Sequence, residues 1–261
     1  MASQLSGLGS AKLKLARARK HIKTIQRSSA KYIATRPYKI TKSKGKETTQ
    51  VIVTKEPPPE INILAGEVIY QIRSALDHLV FALIKKNPPP LAIQPDWERR
   101  CEFPFIFDLK GKVSPLKRNH FPNLPGISEA ALTFIERIQP YYRVGATNNA
   151  LWILGVLSNL DKHRRLNVVI GRIRKAESIR MSSGMTASGF SMLDSGTEFP
   201  TKFPDLGADR AVNVNRRYSV AIHFSERKEI GAAGTLAVDY LLKFILEQVE
   251  VIIIPAFEEL L

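Results

Sequence analysis

Apolar residues recur at Ala65, Val68, Ile69, Ile72, Ala75, Leu76, Leu79, Val80, Leu83 and Ile84. This is helical spacing sustained over about five turns. The stripe is too wide for a surface helix, so residues 65–84 predict a helix buried over most of its circumference. Set into it are Glu67, Tyr70, Gln71, Arg73, Ser74, Asp77 and His78. Ionisable groups on such a helix need a partner, a wet cleft or compensation elsewhere.

Ahead of it, Leu15, Ala18, Ile22, Ile25, Ser29 and Tyr32 predict a helix from Ser10 to about Ala34, with one apolar stripe and a largely basic remainder. Two extended pieces follow, Tyr38–Thr41 and Thr48–Thr54, around the tip Lys42-Ser43-Lys44-Gly45-Lys46; they predict a hairpin with a basic turn. Pro57, Pro58 and Pro59 stop the second strand, with Glu60 in the first turn of the central helix, and Pro88, Pro89 and Pro90 end that helix near Asn87. The segment to about Gly126 is proline-rich, with Phe103, Phe105 and Phe107 alternating as a short buried strand. Ser128 caps a helix to Gln139, stopped by Pro140; Thr147 or Asn148 caps another from Asn149 to about Asp161. Leu166–Ile173 and Tyr218–Phe224 alternate as β-branched strands, with weak strands and loops in the Gly-, Ser- and Thr-rich residues 182–215 between them. A closing helix starts near Thr235 and is interrupted at Pro255.

Charge changes the picture. The net charge is +15, and residues 1–55 hold 14 lysines and arginines against one acid, Glu47. So one-sided a field favours polyanions: nucleic acid, an anionic membrane surface or an acidic partner. A solvated basic face without a dedicated ligand is the plainer reading. The phosphate-contacting residues would be Lys12, Lys14, Arg17, Arg19, Lys20, Lys23 and Arg27 on the first helix, with Lys42, Lys44 and Lys46 at the hairpin. Few aromatics interleave with them, so backbone contact is favoured over base stacking. One cysteine, Cys101, excludes an intrachain disulfide and a multi-cysteine zinc site, and a cytoplasmic setting is expected. No apolar run at the start resembles a signal peptide, although its acid-free Arg and Lys resemble a transit peptide. The apolar tract 236–257 is broken by Asp239, Lys243, Glu247 and Glu250, so no membrane span is expected.

Two charged clusters sit where the pattern is otherwise apolar: Arg73, Asp77 and His78, and the Asp161-Lys162-His163-Arg164 run. Each joins acid, base and imidazole, and antiparallel packing of their helices would let them meet. As a polar network they would pair Asp77 with Arg164, or Asp161 with Arg73. As a metal site, Asp77, His78, Asp161 and His163 are legitimate ligands, but sequence neighbours on a helix point about 100° apart. Neither a His-Glu-x-x-His pattern nor a phosphate-cradling glycine loop occurs, so no metal or cofactor is expected.

Arg73 and His78, with four residues between them, resemble the Arg-x(4–6)-His pattern of the HEPN superfamily. The sequence RSALDHL at 73–79 and DKHR at 161–164, with Pro57–Glu60 before and Gln139-Pro140-Tyr141 between, also resembles an uncharacterised bacterial family with those segments in that order. The HEPN resemblance implies a small helical domain and a metal-independent ribonuclease shared between two protomers. His78 would act as acid and base, and Arg73 would stabilise the phosphate. On a regular helix the two lie roughly 140° apart, so a shared face requires local distortion.

The expectation is therefore an α+β protein: an N-terminal helical bundle carrying a basic hairpin, then a small antiparallel sheet and a closing C-terminal helix. It forms one unit, 1–261, with a soft boundary near 170. Two readings of function stand: a HEPN-like nucleic-acid-associated protein with ribonuclease activity, carried by Arg73, Asp77, His78, Asp161, His163 and Arg164, or a non-catalytic nucleic-acid- or protein-binding module whose polar clusters are structural. The expected partners are nucleic acid, RNA ahead of DNA, and a second copy of the chain.

Overall fold

A computed structural model describes residues 7–42, 49–86, 88, 96–108, 121–142, 149–163, 168–180, 186–194, 213–225, 230 and 236–261. Helix α1 (Gly7–Ala34) and helix α2 (Pro59–Lys86) form an antiparallel pair joined by the hairpin β1 (Tyr38–Lys42) and β2 (Thr49–Val53). The hairpin register sets Tyr38 opposite Val53 and Lys42 opposite Thr49. Its tip, with Lys44 and Lys46, lies outside the described residues. Helix α1 buries Ala11, Leu15, Ala18, Ile22, Ile25 and Tyr32, the stripe its spacing predicts. Helix α2 opens on Pro59, where a missing N–H costs nothing. It buries residues on all but one flank, from Ile61 to Ile84.

Around α2 pack α1, helix α5 (Ala150–His163) and the first closing helix, α6 (Val238–Gln248). Short α3 (Trp97–Arg100) and α4 (Glu129–Arg137) precede α5. Ser128 caps α4 by accepting the Ala131 N–H at 3.2 Å. The cap of α5 is Asn149, not Thr147 or Asn148; its Oδ1 accepts from the N–H groups of Leu151 (2.8 Å) and Trp152 (3.3 Å). Residues 101–108 form no helix and, among the described residues, pair with no strand; they run as a strap against the helices, with Phe103 fully buried.

The second sheet is antiparallel in the order β4-β3-β5, with β3 Val168–Arg180, β4 Thr186–Asp194 and β5 Asn213–Phe224. Asn62 of α2 anchors it by accepting the Val168 N–H at 2.9 Å. Val168, Ile222 and Phe224 join the same apolar cluster as the helices. Buried His223 bonds the Leu236 carbonyl through Nδ1 at 2.9 Å. The fold is thus α+β, as the pattern predicts. The closing helix is not broken at Pro255. It widens into a π turn (Val249–Ile253) and continues as α7 (Ile254–Leu260), because Pro255 offers no N–H and its ring crowds the preceding turn. Among the described residues no helix is long and apolar enough to cross a membrane.

Helix α5 lies close enough to the strap that a Cβ added at Gly155 would stand 2.6 Å from Phe107 Cζ and 3.1 Å from Phe105 Cδ1. Gly155→Ala should therefore destabilise the fold: overpacking costs about 1–3 kcal/mol, more than the roughly 1 kcal/mol gained in helix propensity. A thermal melt should show a fall of a few degrees; an unchanged or higher midpoint would contradict this close approach.

Candidate functional site

Arg73 and Asp77 are one turn apart on α2 and form an ion pair, Nη1 to Oδ1 at 3.2 Å. Both also hold the strap at a single residue. Arg73 Nη1 donates to the Phe103 carbonyl at 2.6 Å, and Asp77 Oδ1 accepts the Phe103 N–H at 2.8 Å. The pair thus supplies both hydrogen bonds that a neighbouring strand would have given Phe103. The guanidinium also lies over the Phe105 ring, 4.4 Å from its centroid, and Nη2 reaches Glu102 Oε2 at 3.5 Å. Glu102 is oriented in turn by Asn123, whose Nδ2 donates at 2.9 Å. Farther along the strap, Ile106 donates to Gln139 Oε1 at 2.9 Å and accepts from the Tyr141 N–H at 3.3 Å. Burial lifts the Asp77 carboxyl above its ordinary value, against the opposing pull of Arg73 and the Phe103 N–H; burial likewise lowers Arg73.

His78 faces elsewhere. Its Nδ1 is 2.8 Å from Ser10 Oγ on α1, and it lines an open cleft of about 980 Å³ with Gly7, Leu8, Asp77, Phe81, Lys85 and Cys101. Burial, with help from Lys14, pushes the imidazole below its ordinary pKa, while Asp77 opposes. Cys101 donates to the Trp97 carbonyl at 3.1 Å, and its thiol is pushed up to about 11 by burial and by Glu98, so it is not poised as a nucleophile.

Helices α2 and α5 do lie side by side and run in opposite directions, since Asp161 rests on Gly66 while Arg73 sits beside Gly155 and Ser158. Asp161 makes no ion pair with Arg73. Its carboxylate packs where a side chain at Gly66 would stand, 2.8 Å from an added Cβ, and burial raises its pKa. Lys162 is the member of the second cluster that approaches the first: with Arg73, Glu102 and the strap aromatics it lines a hollow of about 210 Å³, and its charge acts on Asp77. His163 closes α5, and Arg164, proposed as the partner of Asp77, lies outside the described residues. The geometry adds Ser10, Glu102 and Phe105 to the residues the motifs singled out, and of the DKHR run it brings Lys162 to the first cluster. No spacing rule reaches the first three, because each meets α2 only through the tertiary fold.

The cations of α1 divide into two groups. Lys12 pairs with Glu258 of α7 and Arg19 with Glu250 of the π turn. Lys14 sits over the Tyr70 ring at 5.9 Å, and Arg17 donates to His21, which in turn meets Glu67 at 3.3 Å. Lys20, Lys23, Arg27 and Lys31 are exposed and form no ion pair among the described residues. Their spacing places them along one side of α1 over about 16 Å. Lys42 ends β1. No family model, curated protein or solved structure matches the chain.

Two outcomes test this geometry. Asp77→Ala should strand the Arg73 guanidinium and the Phe103 N–H, costing about 1–3 kcal/mol; an unchanged denaturant midpoint would refute the clamp. The depressed pKa of His78 has a definite sign. Below pH about 6.5 the unfolded chain binds a proton that the folded ring resists, so stability falls as pH falls through that window and is retained above it. His78→Asn should flatten this part of the stability–pH curve relative to wild type; an identical curve would count against a folded state that resists protonating His78.

Proposed function

We propose that the chain is a non-catalytic nucleic-acid-binding module that grips phosphates with the open side of α1. The carrying observation is the row Lys20, Lys23, Arg27 and Lys31, exposed and without an acidic partner among the described residues. Lysines and arginines spaced along a helix neutralise successive phosphates and release condensed counterions, a contact that carries no sequence preference. The hairpin follows the Lys31 end of α1 in the chain and carries exposed Lys39 on β1.

The Arg73 geometry favours this reading over the ribonuclease. A guanidinium already engaged by a carbonyl, a carboxylate and an aromatic ring has little left to offer a strained phosphate, and His78 faces α1 instead. A preference for RNA rests on the HEPN-like pattern alone, so the test carries both nucleic acids.

Labelled single-stranded RNA and duplex DNA titrated at several salt concentrations give the slope of log K against log salt. Exchanging Lys20, Lys23, Arg27 and Lys31 for Gln should lower the RNA slope by about 2–3, since each single-strand phosphate contributes about 0.7. Absence of binding at low salt would end the proposal. Chelator-resistant RNA cleavage by wild type that His78→Ala abolishes would return the ribonuclease to first place.

A further inference from the structure

We infer that Glu250 and Glu258 of the closing helix set the edge of the nucleic-acid footprint on α1, by occupying Lys12 and Arg19 in the way a phosphate otherwise would. The inference rests on the phosphate-binding reading and goes on to name what limits it. A groove of about 440 Å³ runs between α1 and the closing helix. Its cationic wall is Lys12, Arg19, Lys20 and Lys23, its floor includes Leu15 and Ile254, and Glu250 stands on the opposite side.

Lys12, Arg19 and Lys23 fall at i, i+7 and i+11, nearly in line along the helix axis, so by sequence they belong to one continuous basic row. The structure interrupts that row. Glu258 takes the Lys12 ammonium and Glu250 takes the Arg19 guanidinium, while Lys20 and Lys23 have no ionic partner among the described residues. A carboxylate oxygen on a guanidinium is the contact a phosphate oxygen makes. An incoming backbone must therefore displace a carboxylate that stays tethered nearby, and it meets like charge in doing so. Along this groove the footprint starts at Lys20 and runs toward Lys31, with Lys12 and Arg19 outside it.

The test uses the full chain and the same RNA titration. Glu250→Gln with Glu258→Gln should release Lys12 and Arg19 and raise the salt slope by about 1.4, the contribution of two single-strand phosphates. The charge-matched control is Glu247→Gln with Glu259→Gln. Glu247 pairs with Lys243 on its own helix, and neither residue lines the groove. The control should tighten binding only through net charge, with little change in slope. Adding Lys12→Gln and Arg19→Gln to the first variant should return the slope to the wild-type value, and thermal melts verify that each variant is folded. If wild type binds through Lys20–Lys31 but the two double variants give the same slope, the edge assignment fails and the binding module survives. If wild type does not bind at all, both fall together.

Discussion

A chain that crosses a helical bundle outside any helix or sheet must find other partners for its peptide groups. Residues 101–108 meet that demand by borrowing side chains. Arg73 and Asp77 serve the two peptide groups of Phe103, and Gln139 with the Tyr141 N–H serves those of Ile106. The strap can then seat Phe103 in the core and lay Phe105 and Phe107 against α5, where Gly155 makes the room. A helix as apolar as α2 tolerates an arginine and an aspartate here because each compensates the other, and both compensate backbone that would otherwise be buried unpaired.

That arrangement also decides how the Arg-x(4)-His spacing is used. Arg73 and Asp77, four apart, share a face; His78, one residue on, turns toward α1, although it and Asp77 both border the cleft there. The helix stays regular through this turn, so Arg73 is drawn to the strap and His78 to Ser10 of α1. A pattern that resembles a catalytic pair in sequence is divided within this chain between two structural contacts. The functional weight accordingly moves to the cations whose surroundings leave them unsatisfied.

Much of the architecture was legible because it follows from periodicity. The apolar stripes of α1 and α2, the hairpin, the Ser128 cap and the strands flanking residues 182–215 all depend on local spacing or local capping chemistry. What escaped depends on partners distant in sequence. Three alternating phenylalanines look like a strand, yet side chains of α2 supply the hydrogen bonds a strand partner would have made. Of the two pairs the clusters offer, Asp161 with Arg73 does not form, because Gly66 leaves a hollow that accepts the Asp161 carboxylate. Asn149 rather than its predecessors caps α5; three polar residues in a row offer the same chemistry, and only the backbone path chooses among them. The π turn before Pro255 is a milder response to a missing N–H than a break, because Val249, Ile253, Ile254 and Phe257 stay buried through it.

The distribution of charge on α1 follows from the same packing. The apolar stripe of α1 docks on α2 and α6, which brings the closing helix alongside and with it Glu250 and Glu258. Exposed ion pairs of this kind contribute only about 0–1 kcal/mol each to stability. Their larger consequence is electrostatic: they neutralise Lys12 and Arg19 at the start of the row and leave Lys20, Lys23, Arg27 and Lys31 without an acidic partner among the described residues. A basic row that is continuous in sequence is interrupted in the fold. The acids responsible lie more than two hundred residues away in the chain, which is why composition alone reports the strength of the cationic face but not its extent.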